Sequence, residues 1–501
     1  MGVLLGLDAG TTTIRAVAFT SDGTVRAVAT ETQSVAHPHS GWAEQQMDAV
    51  WEASASAIRS VLDELDDGTD VLGVGLTGQG DGCWLCNEDG SPVRNAVLWS
   101  DSRAAPILEQ WEADGTMTAI AAECGSSMYP GMSLPLLAWF ADHEPDSLER
   151  ATTAFGCKDW IAFRLTGVRS TDYSEATVPF LDADTEQFNP DVFELAGLSE
   201  YSDLLPEIRS GTDTVGEVTE QAAEATGLPT GTPVVAGMID VVASAIGAGA
   251  VAPGDAAVSL GTSVFTQTIA AGHPDSDTGI GMAFGVDGRW TTAVGSNAGT
   301  QSIEWVRTDL CDDLEYSTLE SAAESVSPGC DGLIYLPYLS STGERAPFTN
   351  SNARAGYVGM VPDHTRAHLI RSVYEGLSLA VRDCLEHLPV APDRVYLTGG
   401  GARSSFWCEM LADVLDVELV VPQADFPAAK GAATLLAVGL ELVPDIEAAT
   451  TQLAGERRTY QPTSPTTQTY AELYEGFRSI REELPAVWRA HAELRARQLE
   501  H

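Results

Sequence analysis

Residues 3–20 read VLLGLDAGTTTIRAVAFT, and residues 256–269 read AAVSLGTSVFTQTI. In the first stretch the apolar run Val3–Leu7 leads into Asp8-Ala9-Gly10-Thr11-Thr12-Thr13. Ile14–Thr20 then alternates, and Ser21-Asp22-Gly23 turns the chain. Strand, glycine turn, strand is the pattern of a β-hairpin rather than of a strand entering a helix. The second stretch repeats the plan as Ala256–Leu260, Gly261-Thr262-Ser263 and Val264–Ile269. Two such units about 250 residues apart predict a duplicated α/β domain. The junction is expected near residues 245–255, giving domains over 1–248 and 249–501.

Working outward, helical and strand patterns alternate. Asp48–Leu65 is amphipathic and Val71–Leu76 is an apolar strand, while Leu134–His143 and Trp160–Leu165 read as helices. In the second half His368–Leu388 predicts a long helix, followed by strand Arg394–Thr398, helix Phe406–Leu415, strand Glu418–Val421 and helix Ala428–Val438. The tail Tyr470–Gln498, rich in Glu, Arg, Ala and Leu, predicts one exposed helix.

The 501 residues carry 27 basic and 72 acidic side chains, a formal charge of −45. Only Lys158 and Lys430 are lysines. A surface this acidic and lysine-poor fits a cytoplasmic protein adapted to molar salt, where the Debye length shrinks to about 3 Å and self-repulsion is screened. Nucleic acid is excluded as a partner because the basic footprint it needs is missing. Cys83 and Cys86 form a lone CxxC without a second pair or neighbouring histidine, so they read as buried neutral thiols, not a zinc site. Scattered cysteines and an N-terminus without a basic leader fit a reducing compartment. Residues 231–252 approach membrane-span length, but Asp240, Pro233 and the glycines predict a buried α/β core and no membrane partner. Leu499-Glu500-His501 resembles the start of an expression tag.

Asp240 is the only charged residue between Gly231 and Pro253. Burying an ionised carboxylate costs several kcal/mol unless a cation, proton or hydrogen bond compensates it. One reading makes it the N-cap of a helix over 241–250 that follows a strand at 234–239; the other makes it a functional acid. Asp8-x-Gly10-Thr11-Thr12-Thr13-x-Arg15 places a carboxylate, a tight turn and hydroxyl donors at one strand end. Such a turn forms an anion-binding nest, and Asp8 suits Mg²⁺ held through water and phosphate. Leu397-Thr-Gly399-Gly400-Gly401-Ala402-Arg403-Ser404-Ser405 follows a predicted strand and opens a helix, which lets backbone approach a flat anionic ligand. No GxxxxGK[ST] loop exists, so this phosphate site is not a P-loop.

Together these segments resemble the FGGY family of carbohydrate kinases over essentially the whole chain. Asp8–Arg15 and Leu260–Ser263 resemble its two phosphate motifs, and Val294–Trp305 resembles its nucleotide-lining segment. Pro337–Pro347 with Asn352-Ala-Arg-Ala-Gly resembles its PYLSGER–ARG stretch, with one extra residue near Thr342. Ala355–Glu375 resembles the second family signature and Gly399–Ala402 the adenosine motif. The resemblance implies two actin-like (ribonuclease H-like) ATPase domains around a cleft, with ATP and Mg²⁺ as cofactors. It implies Asp240 as general base and metal partner, and Asp8 as the acid that places the metal. Thr11, Thr12, Arg15, Gly261 and Thr262 would meet the phosphates; Gly299, Gly400, Gly401, Ala402 and Ser405 would line the adenosine.

Specificity falls to Gly75–Arg103, where the family places substrate contacts at positions that here are Gln79, Gly80 and Asp81. Trp99 is read either as packing on the sugar carbons or as a plain core tryptophan, and Asp101 with Arg103 as a structural pair. Glycerol kinases carry Arg-Glu where this chain has Gly80-Asp81, and Gln where it has Val241, which disfavours glycerol. The chain also departs from the usual D-xylulokinase pattern at all three positions. GQGDG and Asp-Val-Val resemble kinases of L-xylulose, related keto-sugars or erythritol. The expected substrate is a ketopentose such as xylulose, with erythritol or another small polyol as the alternative. A chaperone or filament ATPase on the same fold is the competing class, and would leave Gln79–Asp81 without a role. A non-catalytic sugar sensor is disfavoured by the intact Asp8 and Asp240. A homodimer is an open option.

Overall fold

The structure is a computed structural model that describes residues 2–182, 185–274, 276, 278–423 and 425–499. Glu500 and His501 of the tag-like end lie outside the described residues. Two compact units interleave along the chain. The first is Met1–Pro253 with Ile269–Thr292 and Gln423–Glu456; the second is Gly254–Thr268 with Ala293–Pro422 and Arg457–His501.

In the first unit the expected hairpin is strand Gly2–Ala9 antiparallel to strand Thr13–Phe19, with Asp8 opposite Arg15. On its other side Gly2–Ala9 runs parallel to Asp70–Gly78, which is parallel in turn to Pro233–Val235 and Met238–Ile239. Side chains alternate between the two faces of such a strand. Val3, Leu5, Leu7 and Ala9 enter one core, where Met47, Val50, Ile58 and Val61 of helix Met47–Glu64 cover the sheet. Leu4, Val17 and Phe19 enter the opposite core with Ala429, Ala433 and Leu436 of helix Pro427–Gly439. That helix lies very close: a Cβ on Gly6 would stand 2.1 Å from the Ala429 carbonyl oxygen, and one on Gly75 2.1 Å from that of Ala432.

The second unit repeats the arrangement. Strand Asp255–Leu260 is antiparallel to Val264–Ala270 and parallel to Arg394–Thr398, with Glu418–Pro422 and Arg457–Tyr460 completing that side. Helices Arg366–His387 and Ser405–Leu415 supply much of its core, including Val373, Leu377, Trp407 and Leu411.

Most expected elements appear within a residue or two of their expected bounds, and two differ. The expected single tail helix is two, Ser464–Glu483 and Pro485–Leu499. Pro485 has no N–H to continue the first helix, so it starts the second. Nor is the first of them wholly exposed, since Tyr470, Tyr474 and Phe477 are buried in the second unit's core. The expected strand at 234–239 is broken between Val235 and Met238, where Gly237 takes φ +69°. All eight cysteines are buried free thiols. Burial pushes Cys83 and Cys86 up to about 12, which keeps both neutral.

Candidate active site

Ligands in open parallel sheets bind outside the carboxyl ends of the strands, and the expected residues of the first unit gather there. Register places Asp8 beside Thr77 and Ala9 beside Gly78, with Met238 and Ile239 against the same two residues of the middle strand. The chain leaves these three neighbouring strands as Gly10–Thr12, Gln79–Asp81 and Asp240. Asp240 opens helix Asp240–Ala248 as its first residue; Ile239 is the N-cap, and no side chain makes a capping bond. The capping reading of Asp240 is therefore not what the structure adopts. Its carboxyl instead takes a hydrogen bond from the Val241 N–H.

Three carboxyl groups meet here with little compensation. Burial pushes Asp240 up to about 7, with the Asp8 and Asp81 charges adding to the rise and the Val241 bond opposing it. Burial also pushes Asp8 up to about 6, opposed by Arg15, whose guanidinium lies 3.8 Å from the carboxylate. Asp81 likewise rises to about 6 through burial, opposed by the Tyr129 hydroxyl, which donates to Asp81 Oδ2. Like charges crowded in a desolvated pocket favour a proton or a cation between them. Asp8 and Asp240 suit Mg²⁺, which takes one or two carboxylates and fills its remaining positions with water and phosphate oxygens. Among the described residues no group of three or more His, Cys, Asp or Glu could hold a metal alone.

The rest of the set is closely knit. Gln79 is 3 % exposed; its Oε1 accepts from the Thr11 hydroxyl at 2.9 Å, and its Nε2 donates to Gln45 at 2.8 Å. Both polar ends of the Gln79 amide are thus engaged by protein, and Gln45 also holds the Thr11 carbonyl at 2.7 Å. Trp99 is 39 % exposed and donates from Nε1 to the Thr11 hydroxyl at 3.0 Å, so it is not a core tryptophan. Gly80 lets Ile239 come close, since an added Cβ would stand 3.0 Å from Ile239 Cγ2. Thr12 is exposed at the turn. Asp101 and Arg103 form the expected structural pair, buried, with Nη2 to Oδ2 at 2.9 Å and Glu44 as a further partner.

In the second unit the ends of strands Asp255–Leu260 and Arg394–Thr398 bring the other expected residues together. A Cβ on Gly299 would stand 2.2 Å from the Thr262 carbonyl oxygen, and Thr300 donates to the Gly261 carbonyl from its N–H at 2.8 Å and its hydroxyl at 2.9 Å. Gly399, at φ +86°, rides over Leu260, where a Cβ would stand 2.6 Å from the carbonyl oxygen. Gly400 faces open space, while Gly401 and Ala402 pack inward. Ser405 begins helix Ser405–Leu415, which Ser404 caps by accepting from the Trp407 N–H.

With both strand-end clusters described, comparison with known proteins decides the family. Residues 3–247 match the N-terminal domain of the FGGY family of carbohydrate kinases, and residues 256–440 match its C-terminal domain. The chain belongs to that family. It is 32% identical over 508 residues to the erythritol kinase of Brucella abortus, covering 97% of each chain. It is 28% identical to the L-xylulose/3-keto-L-gulonate kinase of Escherichia coli, covering 98% of each. The solved xylulose kinase of Rhodospirillum rubrum superposes with a TM-score of 0.88 at 28% identity, covering 97% of this chain and 100% of that one. The xylulose kinase of Lactobacillus acidophilus, at 23% identity and TM-score 0.89, shares the fold. As an FGGY member the chain is a carbohydrate kinase with two sheet-containing, actin-like domains.

Sequence reasoning missed five residues that bond to the expected ones in these two clusters. Gln45, Tyr129 and Glu175 hold Thr11 and Asp81, from sequence positions far from any motif. Arg458 and Tyr460 reach the glycine turn: Arg458 donates to the Ala402 carbonyl at 2.9 Å, and both lie 3.2 Å from Ser405 Oγ. Only Tyr129-Pro130, an aromatic beside a helix breaker shortly before helix Ser133–His143, offered any local signal.

Proposed function

We propose that this enzyme transfers the γ-phosphate of ATP, with Mg²⁺, to a hydroxyl of a small sugar, a ketopentose such as xylulose. The observation that carries the reading is the convergence of Asp8, Asp81 and Asp240 at the ends of three neighbouring strands. Phosphoryl transfer asks a protein chiefly for alignment and charge neutralisation. Asp240, whose carboxyl sits near 7, accepts the proton of the attacking hydroxyl. Asp81 accepts hydrogen bonds from sugar hydroxyls, while Gly80 and Gln79 shape the floor and Trp99 lies along the carbons. Asp8 and Asp240 would hold Mg²⁺, which would supply neutralisation of the phosphate charge. Thr11, Thr12, Arg15, Gly261 and Thr262 supply phosphate donors; Gly299, Gly400, Gly401, Ala402 and Ser405 line the adenosine. The sugar and the base thus belong to residues 1–248 and the adenosine to 249–501, with phosphate donors from each. The acidic, lysine-poor composition supports a salt-rich cytoplasm as its setting.

Erythritol is the second reading, supported by the 32% identity to an enzyme named for it. A coupled ADP-release assay at molar KCl with xylulose enantiomers, ribulose, erythritol, glycerol and gluconate separates the two. ATP turnover without any sugar would instead favour a plain ATPase. Asp240→Asn is expected to abolish transfer while ATP still binds; retention of most activity removes Asp240 from its role.

A further inference from the structure

The first turn of helix Tyr173–Phe180 touches the backbone on both sides of the sugar end of the site. Glu175 Oε1 accepts from the Asp81 N–H at 2.9 Å, and Ser174 Oγ accepts from the Ile239 N–H at 3.0 Å. Asp81 sits at φ +58°, in the left-handed region that disfavours a residue with a side chain. Two groups outside its own loop engage it: Tyr129 binds the side chain, and Glu175 is the partner of the backbone N–H. Ile239 immediately precedes Asp240, so Ser174 fixes the backbone from which the base projects.

The turn is itself anchored. Asp172, the helix N-cap, accepts from the Ser174 N–H at 2.7 Å and from its hydroxyl at 2.6 Å. Asp172 also pairs with the fully buried Lys158 at 2.7 Å, and Lys158 pairs with Asp159 as well. A buried lysine set among carboxylates is strongly constrained in position. Gly156 leaves the space that Glu175 uses: a Cβ there would stand 2.4 Å from Glu175 Cδ. Glu175 Oε2 is buried and makes no hydrogen bond. The carboxyl is therefore placed for the single bond to Asp81 and not tied into the lysine cluster by both oxygens. Burial, with Asp159 adding and Lys158 opposing, holds it well above the usual carboxylate range. An uncharged isostere can then do the same work.

We infer that Ser174 and Glu175 are positioning residues: Glu175 sets the conformation of Asp81 for the sugar, and Ser174 sets the Ile239–Asp240 junction for proton transfer. The inference rests on the function proposed above, and the experiment separates the two. The unaltered enzyme is first tested for sugar-dependent ADP release; absence of any turnover with the sugar panel sinks the function, not the positioning. With turnover in hand, sugar KM, ATP KM and kcat are measured for Glu175→Gln, Glu175→Asp, Glu175→Ala and Ser174→Ala.

Loss of one buried hydrogen bond is worth about tenfold. Glu175→Ala is expected to raise the sugar KM about tenfold and leave the ATP KM within about twofold. Glu175→Asp keeps the carboxyl but withdraws the acceptor by one methylene, and should behave like Glu175→Ala. Glu175→Gln keeps the reach and an acceptor oxygen without an ionisable carboxyl, and should keep the sugar KM within about threefold of the unaltered enzyme. If Glu175→Ala does not fold, the Asp and Gln pair alone decides. A sugar KM preserved in Glu175→Asp, or lost in Glu175→Gln, overturns the role of Glu175, as does an equal rise in both KM values. Ser174→Ala should lower kcat severalfold with little change in sugar KM; an unchanged kcat overturns its part.

Discussion

Asp240 is expensive to hold in the folded chain, and that cost makes it testable apart from catalysis. Its folded-state pKa, about 7, lies above the ordinary 3.8. Between those values the folded chain holds a proton that the unfolded chain releases, so stability contributed by this group falls as pH rises through the window. Asp240→Asn removes that penalty. A gain of about 1 kcal/mol corresponds to about 3 °C for a unit of this size, so Tm should rise by at least that much at pH 8 and by less at pH 5. Equal shifts at both pH values would show that ionisation is not the cause. kcat/KM, which reports the free enzyme, should climb with pH through a midpoint near 7 and level off above it, as Asp240 becomes competent to accept a proton. Asp81→Ala should raise the sugar KM about tenfold while ATP affinity holds, since one hydrogen-bonding carboxylate is lost on the sugar side alone. The lone acid in apolar surroundings was legible in the sequence. Its neighbours were not, because Tyr129 and Glu175 come near Asp81 only when separate strands and helices pack.

Helix Pro427–Gly439 shows how an element can be legible in the sequence while its packing partner is not. Its apolar pattern predicted a helix over Ala428–Val438 but no packing partner for it. It packs on the first unit's sheet, where Gly6 and Gly75 let its carbonyls approach the strand backbones. Gly75→Ala forces a Cβ against the Ala432 carbonyl oxygen, and such overpacking should cost about 1–3 kcal/mol, read as a lower urea midpoint. Unchanged stability would mean the helix can slide away. The tail was misread in a different manner. Tyr470, Tyr474 and Phe477 follow helical spacing and were a visible apolar stripe, but the surrounding Glu and Arg hid it. Arg458, on the short strand before that tail, clasps the Ala402 carbonyl and Ser405. Arg458→Ala should raise the ATP KM severalfold and leave the sugar KM alone.

The charge of −45 is spread over a surface that holds no lysine, because both lysines are buried, Lys158 at 0% and Lys430 at 3% exposure. Among the described residues no helix is long and apolar enough to cross a membrane. Repulsion between exposed carboxylates weakens as the Debye length falls from about 10 Å at 0.1 M salt to about 3 Å at 1 M. Tm should therefore rise steeply with KCl over that range, and by more than with sorbitol of equal osmolality; a flat profile would detach the composition from salt adaptation. Sequence by itself determined the two hairpins, most helices and strands, the family, and the isolation of Asp240, since each is written in local periodicity, a local motif or local charge. Tertiary structure alone decided that Asp8, Asp81 and Asp240 share one strand-end pocket, that Gln79 faces Thr11 and Gln45, and that the first turn of helix Tyr173–Phe180 braces both sides of it. Those contacts join positions tens to hundreds of residues apart, and only strand register and close backbone packing bring them within hydrogen-bonding reach.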